Sequence, residues 1–238
     1  MAHHISGCIL CGKPLTYFVM SRNVSCSICG AAKHANATCK DGHYVCDICH
    51  SKMGYQQITE TILASDSRNP IGIATRAMHA PFVNMHGPEH HYLVTASLLA
   101  AYKNAGKALD MDKALTTAQE RCGQVPGGIC GLWGCCGAAI GAGIFVSIIT
   151  GATPLSDREW QLANMLTSQC LQSIAQNGGV RCCKRDVFLA ILQSAAFLRE
   201  CLDAEVEIPS AVKCSFFQKS DSCKKELCLF YPKRADTV

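Results

Sequence analysis

Residues 8–50 read CILCGKPLTYFVMSRNVSCSICGAAKHANATCKDGHYVCDICH, and the cysteine spacing in this stretch decides the N-terminal fold. It contains two Cys-x2-Cys-Gly turns, one with Cys8 and Cys11 and the other with Cys26 and Cys29. Each turn has the form of a zinc knuckle, because it offers two thiolates and a glycine that lets the backbone fold towards the sulfurs. Together the two knuckles predict one tetrahedral site of four thiolates.

A second set of ligand residues follows, and its members are Cys39, His43, Cys46 and Cys49. Their spacing suits one more four-coordinate site, so we expect one or two zinc ions in this module. The spacing leaves open an interleaved arrangement, in which non-adjacent pairs share each ion. Metal-free cysteines are the disfavoured alternative, because so short a stretch with few apolar residues needs metal to fold. We expect the module to be a structural or recognition element.

The composition favours a globular protein of the cytoplasm. Hydrophobic residues make up 49% of the 238 residues and charged residues 17%, and the net charge of +4 is too small to indicate nucleic acid. There are 18 cysteines, and the polar start from Met1 to Ser6 does not resemble a secretory signal. Reduced thiols at this density indicate metal ligands or working thiols, and they are typical of an anaerobe.

The pattern of helix signals predicts a mostly α protein with a zinc-ribbon-like start. We divide the chain into a zinc-binding module at 1–52, a helix and linker at 53–87, and a cysteine-rich helical domain at 88–238. Ser156 and Glu159 form a predicted capping box at the start of one long helix. Caps and apolar periodicity predict helices over 56–63, 88–104, 111–122, from Ser156 to 177, and 184–202.

The segment from Ile129 to Ala152 carries no charge over 24 positions, which is long enough for a membrane span. It holds six glycines and follows a Pro126-Gly127-Gly128 turn. We therefore interpret it as a loop that leads into a buried helix packed through small residues, and we expect no membrane partner.

Two pairs of adjacent cysteines, Cys135-Cys136 and Cys182-Cys183, lie in similar settings. Each pair follows a Gly-rich turn and precedes a predicted helix. Helix N-termini and nearby cations favour the thiolate form of cysteine, and Arg181, Lys184 and Arg185 supply positive charge. If the two helix starts face each other, they bring together five sulfurs that could bind an iron–sulfur cluster or carry sulfur. The five are Cys130, Cys135, Cys136, Cys182 and Cys183, of which Cys182 and Cys183 are also candidate catalytic thiols. Cys170 and Cys201 are isolated within helices, and we expect them to be small core residues.

Two further groups of residues are candidates for metal binding or catalysis. Cys214, Cys223 and Cys228 could close a metal site with one ligand from elsewhere, or supply ligands to the main cluster. Glu89 and His90, at the start of a predicted helix, are candidates for general acid–base catalysis. His90 and His91 point about 100° apart, so at most one of them is expected to face a site with Glu89. Ordinary surface histidines beside a helix-start carboxylate are an equally good interpretation.

Several motifs together resemble a family of unknown function, DUF5714. They are Gly87-Pro-Glu-His-His, Gly-Gly-Ile-Cys-Gly-Leu-Trp-Gly-Cys-Cys-Gly-Ala-Ala up to Ala139, Thr153-Pro-Leu, Arg181-Cys-Cys-Lys-Arg and Cys228-Leu-Phe-Tyr, and they span about residues 80 to 232. The resemblance implies a protein of anaerobic bacteria or methanogenic archaea, with related domains fused to radical S-adenosylmethionine modules. It supplies no catalytic residues.

The favoured hypothesis is a metal–thiolate protein. We expect it to bind zinc and, as a second cofactor, an iron–sulfur cluster. Its expected chemistry is sulfur transfer or a redox reaction. A radical S-adenosylmethionine enzyme or another protein is the expected partner. A non-catalytic module that binds RNA or protein is the first alternative, and a metal chaperone or sensor is the second. Walker loops, dinucleotide-binding glycine motifs and serine-hydrolase elbows do not occur in the sequence, so it gives no support to those chemistries.

Overall fold

The computed structural model describes residues 7–232, and residues 1–6 and 233–238 of the first and last predicted segments lie outside them. Two strands come first, β1 (Leu15–Ser25) and β2 (Ala32–Cys39). Eight helices follow: α1 (Asp47–Leu63), α2 (Pro70–Met78), α3 (Glu89–Asn104), α4 (Met111–Gly123), α5 (Ile129–Leu132), α6 (Gly137–Thr150), α7 (Arg158–Asn177) and α8 (Cys183–Cys201). Short 3₁₀ turns occupy Phe217–Lys219 and Lys225–Leu227. The predicted class, mostly α after a zinc-ribbon-like start, is confirmed.

Strands β1 and β2 form an antiparallel hairpin, whose pairing runs from Leu15 opposite Cys39 to Ser25 opposite Ala32. The register shifts between Tyr17 and Arg22, so the intervening residues bulge out of the ladder. The pairing carries Cys39 back to the beginning of β1, directly after the first knuckle. The second knuckle forms the turn at the opposite end of the hairpin.

Helix α3 is the centre of the helical domain and packs against α1, α2, α4, α6 and α8. Every residue from Glu89 to Ala101 is buried, including the polar ones, because other helices surround α3 on all sides. A helix surrounded in this way shows no polar stripe in its sequence. The consequence is that the buried polar side chains of α3 lie inside the domain, close to several other elements.

Helix α6 is the buried helix predicted from the uncharged segment, and it packs between α3 and α7. A Cβ atom added at Gly143 would collide with the Thr167 hydroxyl, and one at Gly141 with the His91 backbone carbonyl. The glycines therefore permit close approach of neighbouring helices, as expected. Within residues 7–232, the chain forms no helix long and apolar enough to cross a membrane.

Some local predictions differ from the structure. The capping box at Ser156 is wrong: Asp157 occupies the N-cap of α7, and the Ser156 hydroxyl accepts the Thr153 N–H at 3.0 Å instead. Helix α1 begins at Asp47 rather than at residue 56, because it continues directly from the cysteine-rich segment. Helix α2 lies in the predicted linker, where Asn69 caps it by accepting the Gly72 N–H at 3.0 Å.

Candidate functional site

The first metal site lies at the open end of the hairpin. One ligand atom from each of four residues lies within 4.8 Å of the others, and these residues are Cys8, Cys11, Cys39 and His43. The Cys11 and Cys39 sulfurs are 3.9 Å apart, and Cys8 Sγ lies 3.9 Å from His43 Nδ1. Tetrahedral zinc with bonds of about 2.3 Å separates its sulfur ligands by about 3.8 Å, so the donor set fits this ion.

The second metal site lies at the turn end and is formed by Cys26, Cys29, Cys46 and Cys49. The sulfurs of Cys29 and Cys46 are 3.8 Å apart, again the separation that zinc requires. The sites are therefore interleaved, and the prediction that the two knuckles share one ion is wrong. The reason is the hairpin, which carries Cys39 to the first knuckle and leaves the second knuckle beside Cys46.

Backbone N–H groups lower the pKa of two cysteine thiols in the zinc knuckles. Burial opposes the charged form of Cys26, but N–H donors of Cys29, Cys46 and Ile28 outweigh it and lower the pKa of this thiol to about 6. Cys8 shows the same balance, with donors at Leu10 and Cys11, and its pKa is lowered to about 7. A thiol with a lowered pKa loses its proton more readily, and the thiolate is the metal-binding form.

The second site is joined to the helical domain through the first turn of α1. Cys46 is the N-cap of this helix, so the zinc ligands and the start of α1 form one unit. Asp47 Oδ2 accepts the Gly127 backbone N–H at 2.7 Å, and His50 Nδ1 lies 3.6 Å from Glu89 Oε2. The zinc module therefore positions groups that complete the interior of the domain.

Glu89 is fully buried, and its carboxylate forms an ion pair with the partly exposed side chain of His50. Burial disfavours the charge on Glu89, but the contact with His50 and the charge of neighbouring histidines lower its pKa to about 2. The same contact raises the pKa of His50 against the opposing effect of burial. Glu89 also accepts the Asn84 N–H at 2.9 Å, so its side chain is held from two directions.

A layer of buried histidines surrounds this pair. Burial lowers the pKa of His90 well below its usual value, and its Nδ1 lies 3.0 Å from the Gly87 carbonyl. Among residues 7–232, six buried side-chain polar atoms lack a hydrogen bond, and five belong to this layer: His50 Nδ1, His86 Nδ1, Glu89 Oε2, His90 Nε2 and His91 Nδ1. His90 and His91 are 1% and 9% exposed, so the interpretation as surface histidines is wrong.

An open cleft of about 1150 Å³ of empty space, part of it solvent, lies between the start of α6 and the α7–α8 junction. Cys130, Cys136, Arg181, Arg185 and Asp186 line it. The Cys136 thiol donates to Asp186 Oδ2 at 3.8 Å, and Arg185 Nε donates to Asp186 Oδ1 at 3.0 Å. The Cys136 thiol therefore lies beside a carboxylate that could accept its proton, and the Arg185 cation orients that carboxylate.

Burial raises the pKa of the thiols of Cys136, Cys182 and Cys183. Burial and then the charge of Asp186 raise the pKa of Cys136 to about 12, and burial raises the pKa of Cys183 to about 12 as well. Burial also raises the pKa of Cys182, so the expectation of ready thiolates at the helix starts is wrong. Desolvation outweighs the helix dipole and the nearby cations here. A base is therefore required for thiolate chemistry at Cys136.

The five cysteines predicted to form one cluster are divided by the structure. Cys130 and Cys136 line the cleft, and Cys183 is close enough to Cys136 to affect its ionisation. Cys182 instead lines a separate pocket together with Cys214, Cys223 and Cys228. Cys135 is partly buried and is not among the residues that line either pocket. Cys170 is fully buried and Cys201 packs against the core, as expected.

Glu89 and His90, the predicted acid–base residues, are not among the lining residues of the cleft. Glu89 is close enough to Cys183 for its charge to affect the ionisation of that thiol. The residues that sequence reasoning missed are Asp47, His50 and Asp186, whereas Arg185 was identified only as a source of positive charge. His50 directly follows a zinc ligand, and that position was a usable signal; Asp186 has no comparable local signature.

Comparison with known proteins gives one match. A family model described as "Family of unknown function (DUF5714)" matches residues 58–231, most of the chain. No curated protein and no solved structure matches the chain. The matched region begins inside α1, so it includes the cleft and the buried layer apart from His50, but not the two metal sites.

Proposed function

The chain belongs to the DUF5714 family, a family of unknown function, and we propose that it is a zinc-folded metal–thiolate protein that transfers sulfur at Cys136. The observation that carries this proposal is the contact of the Cys136 thiol with Asp186 Oδ2 at 3.8 Å, in the wall of an open cleft. From the family resemblance, we further propose a radical S-adenosylmethionine enzyme as the recipient of the sulfur.

Cys136, Asp186 and Arg185 each have a different role in the proposed reaction. Arg185 fixes Asp186 through its hydrogen bond, and burial raises the pKa of Asp186, which makes this carboxylate a better base than an exposed one. Asp186 takes the proton of Cys136 as the sulfur attacks. Cys130 lies in the same cleft and provides a second thiol. Arg181, at the cleft wall, attracts an anionic donor.

The reaction is an exchange between a thiol and a persulfide. Cys136 Sγ attacks the terminal sulfur of the donor, so that one sulfur–sulfur bond forms while the donor's own sulfur–sulfur bond breaks. The proton of Cys136 passes to Asp186 and then to the departing donor thiolate. The products are a Cys136 persulfide and the donor thiol, and no external oxidant or reductant is consumed.

We expect Cys136→Ser to abolish persulfide loading at this position, and Asp186→Asn to slow loading roughly a hundredfold, because the general base is lost. The measurement incubates the reduced full-length chain with glutathione persulfide and follows, by peptide mass spectrometry, the gain of one sulfur atom at each cysteine.

Cys201→Ser is the matched control, because Cys201 is also partly buried but does not line the cleft. This variant is expected to load Cys136 at the wild-type rate. Equal loading of Cys136 and Cys201 in the wild type, or an unchanged rate in Asp186→Asn, would argue against sulfur transfer at Cys136.

A further inference from the structure

A second pocket, closed on one side by residues after α8, collects four cysteines from two parts of the chain. Cys182 lies at the start of α8, while Cys214, Cys223 and Cys228 belong to the C-terminal segment that folds back over it. The Cys214 backbone N–H donates to the Phe230 carbonyl at 2.7 Å, which ties the two ends of this segment together. The pocket has about 450 Å³ of empty space, part of it open to solvent.

We propose that Cys182, Cys214, Cys223 and Cys228 are the four protein ligands of an iron–sulfur cluster. This inference goes beyond the sulfur-transfer proposal and does not rest on it, because Cys130 and Cys136 take no part in the ligand set. It also differs from the cluster predicted from the sequence, since only Cys182 is common to both.

The first support is the hydrogen bonding of the sulfurs. Cys214 Sγ accepts the Phe216 N–H at 3.4 Å, and Cys223 Sγ accepts the Lys225 N–H at 3.4 Å, each from two residues further along. Cys8 and Cys26 in the zinc knuckles accept N–H donors at the same offset. Cys182 is the N-cap of α8, where the N–H groups of the first helical turn lack intrahelical partners. Such donors stabilise thiolate ligands.

The second support is the spacing of the sulfurs. In residues 7–232, the groups of three or more ligand atoms within 4.8 Å of one another are the two zinc sites, so these four cysteines are more widely spread. A single zinc ion holds its sulfurs about 3.8 Å apart. A cubane cluster places four irons between the cysteine sulfurs and separates them by about 6 Å. These four cysteines do not form the compact set that a single zinc ion holds, which disfavours a third zinc ion in this pocket.

The third support is the surroundings. Aromatic rings of Phe188, Phe216, Phe230 and Tyr231 form much of the wall, which gives the low polarity common around such clusters. Arg185 and Lys224 also line the pocket and offer positive charge to an anionic cluster. Arg185 lines the sulfur-transfer cleft as well, so the two sites share one side chain.

The experiment reconstitutes the full-length chain with ferrous iron and sulfide without oxygen, and measures bound iron and absorption near roughly 400 nm. The wild type is expected to bind about four irons per chain. Cys214→Ser and Cys228→Ser are expected to reduce both signals at least fivefold, while zinc content stays unchanged and far-ultraviolet circular dichroism shows that the helical domain is still folded. Cys130→Ser and Cys136→Ser, from the alternative ligand set, are expected to retain the wild-type signal.

A wild type that stays colourless or takes up only a third zinc ion would overturn the proposal. So would a loss of the band in Cys136→Ser together with its retention in Cys214→Ser. Persulfide loading of Cys136 is measured separately on the same proteins, so failure of the cluster proposal and failure of sulfur transfer give different results.

Discussion

Replacement of Cys46 by serine is expected to release one zinc ion and to separate the first turn of α1 from the helical domain. Cys46 is both a ligand of the second site and the N-cap of α1, so the ion holds Asp47 and His50 in place. Structural zinc contributes about 10–16 kcal/mol to the folding of small zinc modules, so the loss of a ligand is a large perturbation. Hydrogen exchange within Asp47–Leu63 measures the result.

Cys39→Ser is the matched control, because it disrupts the first site, whose ligands are not part of α1. We expect Cys46→Ser to reduce protection in the first turns of α1 by tenfold or more, equivalent to about 1.4 kcal/mol, and Cys39→Ser to reduce it much less. Equal protection of α1 in both variants would show that the second ion does not hold this helix.

Glu89→Gln is expected to destabilise the folded protein by about 1–3 kcal/mol, because it removes the charged partner of His50, and His50 without that partner loses its proton more readily. The free energy of unfolding, from denaturant titration at neutral pH, measures the loss. Glu60→Gln on the exposed face of α1 is the control, and a change within about 0.5 kcal/mol is expected there.

The double variant with His50→Gln separates the ion pair from simple loss of a side chain. We expect the double variant to be less destabilised than the sum of the two single variants, because either single change already breaks the pair. The folded-state pKa of Glu89 is depressed to about 2, so its stabilisation is present above the unfolded pKa near 4.5 and is lost as pH falls towards 2. Strict additivity would contradict the pairing.

The sequence was sufficient to identify the eight residues of the two candidate metal sites, because the spacing of a knuckle is a local property that survives any fold. It was not sufficient to pair them, since the pairing depends on which strand of the hairpin returns to which knuckle. The bounds of α3 and α4 were predictable within about two residues from proline, glycine and apolar periodicity. The N-terminal extension of α1 was not, because it begins within the metal site.

The grouping of the cysteines in the helical domain also depends on tertiary structure and could not be predicted from the sequence. Adjacent residues at a helix start point about 100° apart, so Cys182 and Cys183 enter different surroundings although they are neighbours in sequence. The fourth cysteine of the C-terminal pocket could be anticipated only as a ligand from elsewhere, and the fold identifies it as Cys182. Asp186 was missed because a carboxylate one turn inside a helix is usually on the surface, and only tertiary packing buries it.

The most direct test of the central claim, a metal–thiolate protein built on two interleaved zinc sites, is native mass spectrometry of zinc per chain. The samples are the wild type, Cys39→Ser, and the Cys39→Ser/Cys46→Ser double variant, each dialysed against a weak chelator. Interleaved sites predict two, one and no zinc ions, because Cys39 and Cys46 belong to different sites. A double variant that keeps one zinc ion would place Cys39 and Cys46 at the same ion and would contradict the account.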